Sequence, residues 1–317
     1  MSSAPSPRLR DWLIFLAVPF FFSSNVIFGR GISGDVSPFI AAFLRWSLST
    51  IFVMPFILGD WRACVTFVRK NTMLWFVLGA LGMAVCGGVV YWGLTKTSAA
   101  NGTLIYTTSS LFIIIFQRIF QGRPIRRLEL IGMLIAFAGV AEIVLKGDIS
   151  QLWALNFNIG DLAILSGAIA FAIYSVLLRD PAARNLASLS LFGTIAFSGA
   201  LVLAPLAGVE LLSGGLLPST PMAWAKIGGI ILFASIAAFY CFTHTVRVFG
   251  PVTAGITLYM MPPVSIVMAV LFLGETFEPY HAVGIVLVTG GVVLATAPLG
   301  NNPLIGRLRP LHLDISA

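Results

Sequence analysis

Few residues in this sequence are of the types that perform covalent chemistry. Three cysteines and three histidines are present, and none has the spacing of a zinc site or falls in a His-Glu-x-x-His sequence. No Gly-x-Ser-x-Gly sequence marks a serine nucleophile. We therefore expect no catalytic residue, no cofactor and no metal ion, and a membrane-embedded enzyme, a receptor or a scaffold is only a minor alternative.

The residues that could bind a small molecule lie instead inside long apolar stretches. A polar group in hydrocarbon is costly unless it is paired or faces water, so such residues are the candidates for a substrate site. They are Ser24, Asn25, Arg45, Tyr91, Trp92, Tyr106, Tyr174, Tyr240, His244 and Tyr259. Aromatic rings that carry hydroxyl groups suit amphipathic metabolites, including amino acids with apolar side chains.

Each candidate also has a purely structural interpretation. Arg45 could attract a substrate carboxylate, or it could donate to backbone carbonyls or snorkel outwards. His244 could carry a proton near neutral pH, or it could be a hydrogen-bonded structural residue. Each tyrosine could pack between helices with one interhelical hydrogen bond.

The composition shows what must surround these residues. The chain has 317 residues, of which 58% are hydrophobic and only 10% charged, whereas about a quarter of the residues in a soluble domain are charged. Ten stretches are apolar enough and long enough to span a bilayer, which requires about 20 residues. They cover residues 11–29, 37–58, 71–94, 97–118, 128–146, 158–178, 186–207, 223–248, 252–273 and 279–298. The sequence therefore predicts an all-α membrane protein.

The positive charges predict how these spans are oriented. With the N-terminus inside, 14 of the 19 Lys and Arg residues fall in inner segments and four in outer segments, as the positive-inside rule requires. Both termini are therefore predicted to be cytoplasmic, in a bacterial-type inner membrane. The net charge of +7 is explained by this anchoring to the lipid bilayer, so we expect no nucleic-acid partner.

The second half of the sequence repeats the first. At shifts of 150 to 152 positions the aligned pairs are Asp11 with Asp161, Pro55 with Pro205, Gly122 with Gly274, Gly132 with Gly284 and Gly139 with Gly291. Because each unit holds five spans, the second unit must be inverted relative to the first, which is a device of secondary transporters. We predict two five-helix repeats around a central cavity, at 11–146 and 158–298, with cytoplasmic tails at 1–10 and 299–317.

Several motifs resemble the EamA-type branch of the drug/metabolite transporter superfamily. They are Phe22-Ser23-Ser24-Asn25, Leu44-Arg45-Trp46, Thr97-Ser98-Ala99-Ala100, Gly250-Pro251-Val252-Thr253-Ala254-Gly255, Pro262-Pro263, Leu273-Gly274-Glu275, and Gly284 with Gly290-Gly291. The resemblance covers about residues 11–297 and is strongest to the aromatic-amino-acid exporter (YddG-like) branch. It implies that helices 1–4 and 6–9 surround the cavity, with helices 5 and 10 outside as supports.

The sequence departs from the family pattern at two places. Ser110-Leu111 stands where the second copy has Pro262-Pro263, and Arg123 stands where the family often has Glu, so the two access states need not be equally stable.

We expect a secondary transporter that exports amino acids or related small amphipathic metabolites by alternating access, as a monomer or weak homo-oligomer.

Drugs or other metabolites are the alternative substrates. Phosphorylated sugars would require several cations in the cavity, and only Arg45 is available. A cationic drug would require a deep Glu in helix 1, and the sequence of helix 1 has none. We expect transport to be driven by the substrate gradient, with proton coupling through His244 as the minor case.

Overall fold

Helices account for the regular structure of this computed structural model. The structure describes residues 7–29, 34–152, 158–273 and 276–296, and these contain no β-strand. The helices are α1 (Leu9–Gly29), α2 (Pro38–Phe52), α3 (Met54–Gly59), α4 (Trp61–Lys70), α5 (Thr72–Leu94), α6 (Ala99–Thr107), α7 (Ser109–Gln121), α8 (Arg127–Val144), α9 (Ile159–Leu177), α10 (Pro181–Arg184), α11 (Ser188–Leu212), α12 (Pro221–Phe249), α13 (Pro251–Ile256), α14 (Met261–Leu273) and α15 (Pro279–Thr296). The predicted tail 299–317 and the Gly274-Glu275 motif lie outside the described residues.

Seven helical stretches of the described chain are long and apolar enough to cross a membrane. They are Thr72–Leu94, Asn101–Gln121, Ile159–Leu177, Ser188–Leu212, Pro221–Phe249, Pro251–Leu271 and Pro279–Thr296. The shorter apolar helix α2 and the helices α1 and α8 lie at the three remaining predicted spans. Helical structure therefore occurs at every predicted span.

Prolines interrupt the helix in two of the spans that the sequence predicts. The span predicted at 37–58 is divided at Val53, between α2 and α3, because Pro55 has no N–H with which to continue the helical hydrogen bonds. In the ninth predicted span, the 3₁₀ turn Thr257–Met260 separates α13 from α14. The pair Pro262-Pro263 lies in the first turn of α14, one residue after this 3₁₀ turn, and removes two helical donors.

Helix α4 lies in a segment for which no span was predicted. Cys64 and Phe67, three residues apart, are both buried, whereas Arg62, Arg69 and Lys70 on the same helix are exposed. This spacing is that of an amphipathic helix, and its low overall hydrophobicity hides it from a search for spanning segments.

Glycines bring α8 and α15 into close contact. A Cβ atom at Gly132 would lie 2.5 Å from the carbonyl oxygen of Gly291, and one at Gly139 would lie 2.8 Å from that of Gly284. Small residues allow helix backbones to approach in this way in membranes. The two contacts are reciprocal, because a shift of 152 positions turns one into the other.

A second reciprocal pair of contacts joins α2 and α3 to α11. The Glu210 carboxylate accepts a hydrogen bond of 2.9 Å from the backbone N–H of Ile40, and the Ser190 hydroxyl donates one of 2.6 Å to the Asp60 carboxylate. Ile40 and Ser190 are 150 positions apart in the sequence, as are Asp60 and Glu210.

The close contact of α8 and α15 can be tested with neighbouring glycines. We expect Gly291→Val to lower the free energy of unfolding by about 1–3 kcal/mol through overpacking, because a Cβ there would lie 2.5 Å from the backbone nitrogen of Ala136. Gly290→Val is the matched control, since nothing lies within 4 Å of a Cβ at that position. Thermal unfolding in one detergent compares the two variants, and equal losses would contradict the packing described here.

Candidate functional site

Arg45 is the only Lys or Arg that is buried among the described residues, with 7% of its surface exposed. Its guanidinium donates three hydrogen bonds to neutral groups: from Nε to the Ser235 hydroxyl at 2.7 Å, from Nη1 to the Tyr91 hydroxyl at 2.6 Å and from Nη2 to the Ala234 carbonyl at 2.8 Å. In the part of the chain that the structure describes, no carboxylate pairs with it. The side chain therefore points into the protein and does not snorkel.

The hydrogen bonds continue from Arg45 to α1. The Tyr91 hydroxyl donates to the side-chain oxygen of Asn25 at 3.2 Å, and the Ser235 hydroxyl donates to a backbone carbonyl of its own helix at 3.0 Å. We call Arg45, Ser235, Tyr91, Asn25 and the Ala234 carbonyl the Arg45 network. Asn25 and Tyr91 are only half-buried and lie near the ends of α1 and α5, so the network is most exposed where these two helices finish.

Two π-helical segments supply carbonyl groups to neighbouring side chains of α2. Ala234 belongs to the π-helical segment Ile230–Ala237 of α12. Trp46 donates from Nε1 to the carbonyl of Met83 at 3.0 Å, within the π-helical segment Ala80–Val89 of α5. The two segments begin 150 positions apart in the sequence. Segments of this kind are frequent at functional sites.

Aromatic rings surround the guanidinium. The Arg45 Cζ atom lies 4.5 Å from the ring centroid of Trp46 and 5.9 Å from that of Tyr91, within the range of cation–π attraction. Trp46 packs edge-to-face on Phe239 at 5.2 Å between centroids, and Phe239 in turn lies 6.2 Å from Tyr174. The site thus combines one positive charge with an aromatic wall.

Tyr106 and Tyr174 reach this wall from α6 and α9. Their ring centroids lie 6.1 Å and 5.9 Å from that of Phe171. Tyr106 is half-buried, whereas Tyr174 is fully buried. Tyr106 therefore keeps part of its ring accessible, whereas Tyr174 lies wholly inside the wall.

Tyr240 and His244 belong to a different contact, between α12 and the start of α1. The His244 Nε2 atom lies 2.8 Å from Oδ1 of Asp11, and the other Asp11 oxygen accepts a hydrogen bond of 2.8 Å from the backbone N–H of Arg8. The Tyr240 ring stacks on His244 at 6.5 Å between centroids. We call the contact of Asp11 with His244 the Asp11 bridge.

A corresponding contact lies at the start of α9. The Thr97 hydroxyl donates to Oδ1 of Asp161 at 2.5 Å, and the other Asp161 oxygen accepts a hydrogen bond of 2.7 Å from the backbone N–H of Asn158. We call the contact of Asp161 with Thr97 the Asp161 bridge. Each aspartate therefore holds the start of its own helix and also reaches a side chain on another element.

The other predicted site residues do not join the Arg45 network. Ser24 donates to the carbonyl of Phe21, in its own helix, at 2.6 Å. Trp92 follows Tyr91 in the sequence and is half-buried. Tyr259 is fully buried in a separate apolar cluster with Ile113.

The chain resembles known transporters along most of its length. Residues 11–145 and 158–297 match the model of the EamA-like transporter family. The chain belongs to this family. It is 23% identical over 297 residues to the uncharacterized transporter YyaM of Bacillus subtilis (strain 168), covering 91% of this chain and 94% of that protein.

Two further similarities bear on substrate class and fold. The chain is 24% identical over 231 residues, 73% of each protein, to a probable terminal-alkyne amino-acid exporter of Streptantibioticus cattleyicolor. A crystal structure of a protein with 20% sequence identity has a TM-score of 0.73 and covers 92% of this chain and 97% of its own. Together with its apolar helices, the family shows that this EamA-like chain is a multi-pass membrane protein, and its relatives indicate a transporter and not an enzyme.

Two residues, one in the Arg45 network and one in the Asp11 bridge, could not be predicted from the sequence. Ser235 is a lone serine in an apolar run and could not be distinguished from a packing residue. Asp11 was recognisable only as the repeat partner of Asp161, because its partner His244 is 233 positions away.

The Arg45 network can be tested by removing one hydroxyl. We expect Tyr91→Phe to lower the stability of this EamA-like protein by about 1.5–3 kcal/mol, the usual contribution of a hydrogen bond to a charged group, because Nη1 of Arg45 would lose its partner. Tyr280→Phe, at the start of α15, is the control and should change stability little. Chemical unfolding in detergent measures both, and an unchanged Tyr91→Phe protein would contradict the network.

Proposed function

We propose that the protein exports amino acids or related small amphipathic metabolites across a bacterial-type inner membrane, as in the aromatic-amino-acid exporter branch. The observation that carries this proposal is Arg45, a buried cation whose partners are all neutral. An arginine in the middle of a spanning helix costs about 2.5–3.5 kcal/mol on insertion scales. A substrate carboxylate would supply the missing counter-charge and match the guanidinium with two parallel hydrogen bonds.

The surroundings of Arg45 favour a zwitterion over a polyanion. One buried guanidinium balances one carboxylate, whereas a sugar phosphate would need further cations. The side-chain oxygen of Asn25 and the Tyr91 hydroxyl are acceptors for an ammonium group, and both residues keep partial exposure. The half-buried Tyr106 presents an aromatic ring to an apolar side chain, and the buried Trp46 supports the wall behind it.

The proposal includes ten spanning helices in two inverted repeats, 11–146 and 158–298. The match of the family model to two separate halves of the chain supports the duplication. The reciprocal contacts of α8 with α15 and of α2–α3 with α11 support a two-fold relation between the units, because residue i of one unit then contacts j of the other while j contacts i. Five spans in each unit would make that relation an inverted one.

The Asp11 and Asp161 bridges fit alternating access between the two repeats. In inverted repeats the starts of α1 and α9 lie at opposite faces of the membrane, with both termini in the cytoplasm and Asp11 on the cytoplasmic side. Asp11 reaches His244 of the second repeat, and Asp161 reaches Thr97 of the first. Opening the cavity towards one side of the membrane would break one bridge and leave the other intact. Such rocking of the two halves around a central site is how secondary transporters alternate their access.

Substitution of Arg45 tests the proposed substrate class. Loss of a charge-assisted hydrogen bond costs about 1.5–3 kcal/mol, so we expect Arg45→Gln to weaken the apparent affinity for amino acids about 10- to 150-fold. Arg45→Lys should be intermediate, since it keeps the charge without the planar fork. Counterflow of the twenty amino acids into proteoliposomes measures these affinities.

Two controls accompany the Arg45 experiment. Ser235→Ala removes a neutral partner and leaves the charge, so its affinity for amino acids should change little. The second control is the amine that corresponds to the substrate without its carboxylate. Its apparent affinity should change little in every variant. An Arg45→Gln protein that is folded and binds amino acids as tightly as the unmodified chain would refute the role proposed for Arg45.

The driving force can be tested separately with an imposed pH gradient. We expect transport to follow the substrate gradient, because no carboxylate pairs with Arg45 among the described residues and the network offers no site for a transported proton. Any residual pH-gradient dependence should disappear in His244→Gln, whereas His281→Gln, at the start of α15 and outside the Asp11 bridge, should leave it unchanged. A strong dependence that survives His244→Gln would contradict substrate-driven export.

A further inference from the structure

Helix α4 and the flank of the helix bundle enclose an apolar groove that the proposed transport cycle does not use. Its volume is about 440 Å³, within the range of about 300–1,000 Å³ that is usual for ligand sites. The main lining residues are Met54, Trp61, Val68, Arg69, Trp75 and Phe197. We call this feature the α4 groove.

The α4 groove extends to a depth that lipid acyl chains occupy. Phe197 lies nine residues beyond the start of α11, which corresponds to about 13 Å along the helix, or nearly half of a hydrocarbon core of about 30 Å. Phe197 is 49% exposed and Met54 is 38% exposed, so both lie on the outer flank of the bundle. The groove therefore runs from α4 along the surface that faces the bilayer.

The polar atoms in the wall of the groove are already satisfied. The Trp75 indole donates from Nε1 to the carbonyl of Thr194 at 2.7 Å, which fixes the ring and leaves its apolar surface to line the groove. The Thr194 hydroxyl donates to the carbonyl of Ser190 at 2.7 Å. An apolar ligand could therefore fill the groove without leaving a buried hydrogen-bonding group unpaired.

One end of the groove is positively charged. Arg62, Arg69 and Lys70 are exposed on α4, and their side chains form no ion pair with any described residue. The neighbouring carboxylate of Asp60 accepts a hydrogen bond from Ser190. An amphipathic helix with such a face lies in the plane of a membrane interface, where its cations attract anionic lipids.

We propose that the α4 groove binds one anionic phospholipid of the surrounding bilayer. Its acyl chain would lie along Trp75 and Phe197, and its phosphate would contact Arg69. Each cation near an anionic membrane surface contributes about 1 kcal/mol, which is about five-fold in affinity. Phosphatidylglycerol should therefore be preferred over the neutral phosphatidylcholine.

The experiment uses the full chain in phosphatidylcholine nanodiscs that contain increasing fractions of dibrominated phosphatidylglycerol. Bromine atoms in the acyl chain quench nearby tryptophans, and the difference between the unmodified chain and Trp75→Phe isolates the signal from the groove. We expect half-maximal quenching at a lower lipid fraction with brominated phosphatidylglycerol than with brominated phosphatidylcholine. Arg69→Gln should raise the required fraction of brominated phosphatidylglycerol about five-fold.

Arg127→Gln is the matched control, because Arg127 is an exposed cation at the start of α8, and it should leave the quenching curve unchanged. Equal curves for the two brominated lipids, or for Arg69→Gln and the unmodified chain, would overturn the proposal. Displacement of the brominated lipid by soluble glycerol phosphate would also overturn it, because the site would then bind free phosphate and not a lipid.

Discussion

A buried guanidinium that pairs with no carboxylate of the described residues is the constraint around which the centre of this protein is built. Arg45 needs acceptors for its donors, and each interior carbonyl of a regular α-helix already accepts one backbone N–H. The π-helical segment of α12 presents the Ala234 carbonyl, and Ser235 and Tyr91 supply hydroxyl oxygens. Trp46 adds a ring face, which stabilises a desolvated cation by about 2 kcal/mol. Each of these groups is neutral, so the positive charge of the site stays available to a ligand.

The frame around Arg45 is nearly symmetric, but the chemistry is not. The π-helical segments begin 150 positions apart, and the contacts of Gly132 with Gly291 and of Gly139 with Gly284 are exchanged by a similar shift. Backbone contacts of this kind depend on small residues, which both copies keep. The position that corresponds to Arg45 is Ile195, so only one half carries the charge. The symmetry therefore concerns how the helices pack, whereas the proposed substrate site depends on a residue that one half alone carries.

The sequence predicts the parts of this structure that follow from hydrophobicity and from repeat spacing. Helices lie at all ten predicted spans. The sequence also predicts Arg45, Asn25 and Tyr91 as candidate site residues, because they are polar or aromatic residues in apolar surroundings. Their mutual contact could not be predicted, because it depends on π-helical geometry that leaves no pattern in composition. Tyr259 illustrates the reverse case, because its residue type and depth resemble those of the other tyrosines, whereas it packs in a separate, mainly apolar cluster away from Arg45. Helix α4 was missed because its charged face lowers its hydrophobicity below that of a span.

The two aspartate bridges show how such asymmetry affects the two access states of the proposed cycle. Both aspartates hold the start of their own helix through a backbone N–H, so that part of each bridge is the same. Their second partners differ in kind. Asp11 contacts the imidazole of His244, whereas Asp161 contacts the hydroxyl of Thr97. The residue that corresponds to His244 in the first repeat is Leu94, which cannot form such a bridge. The two bridges are therefore not equivalent although the frame around them is nearly symmetric, and contacts of different chemistry close the two access states of the proposed cycle.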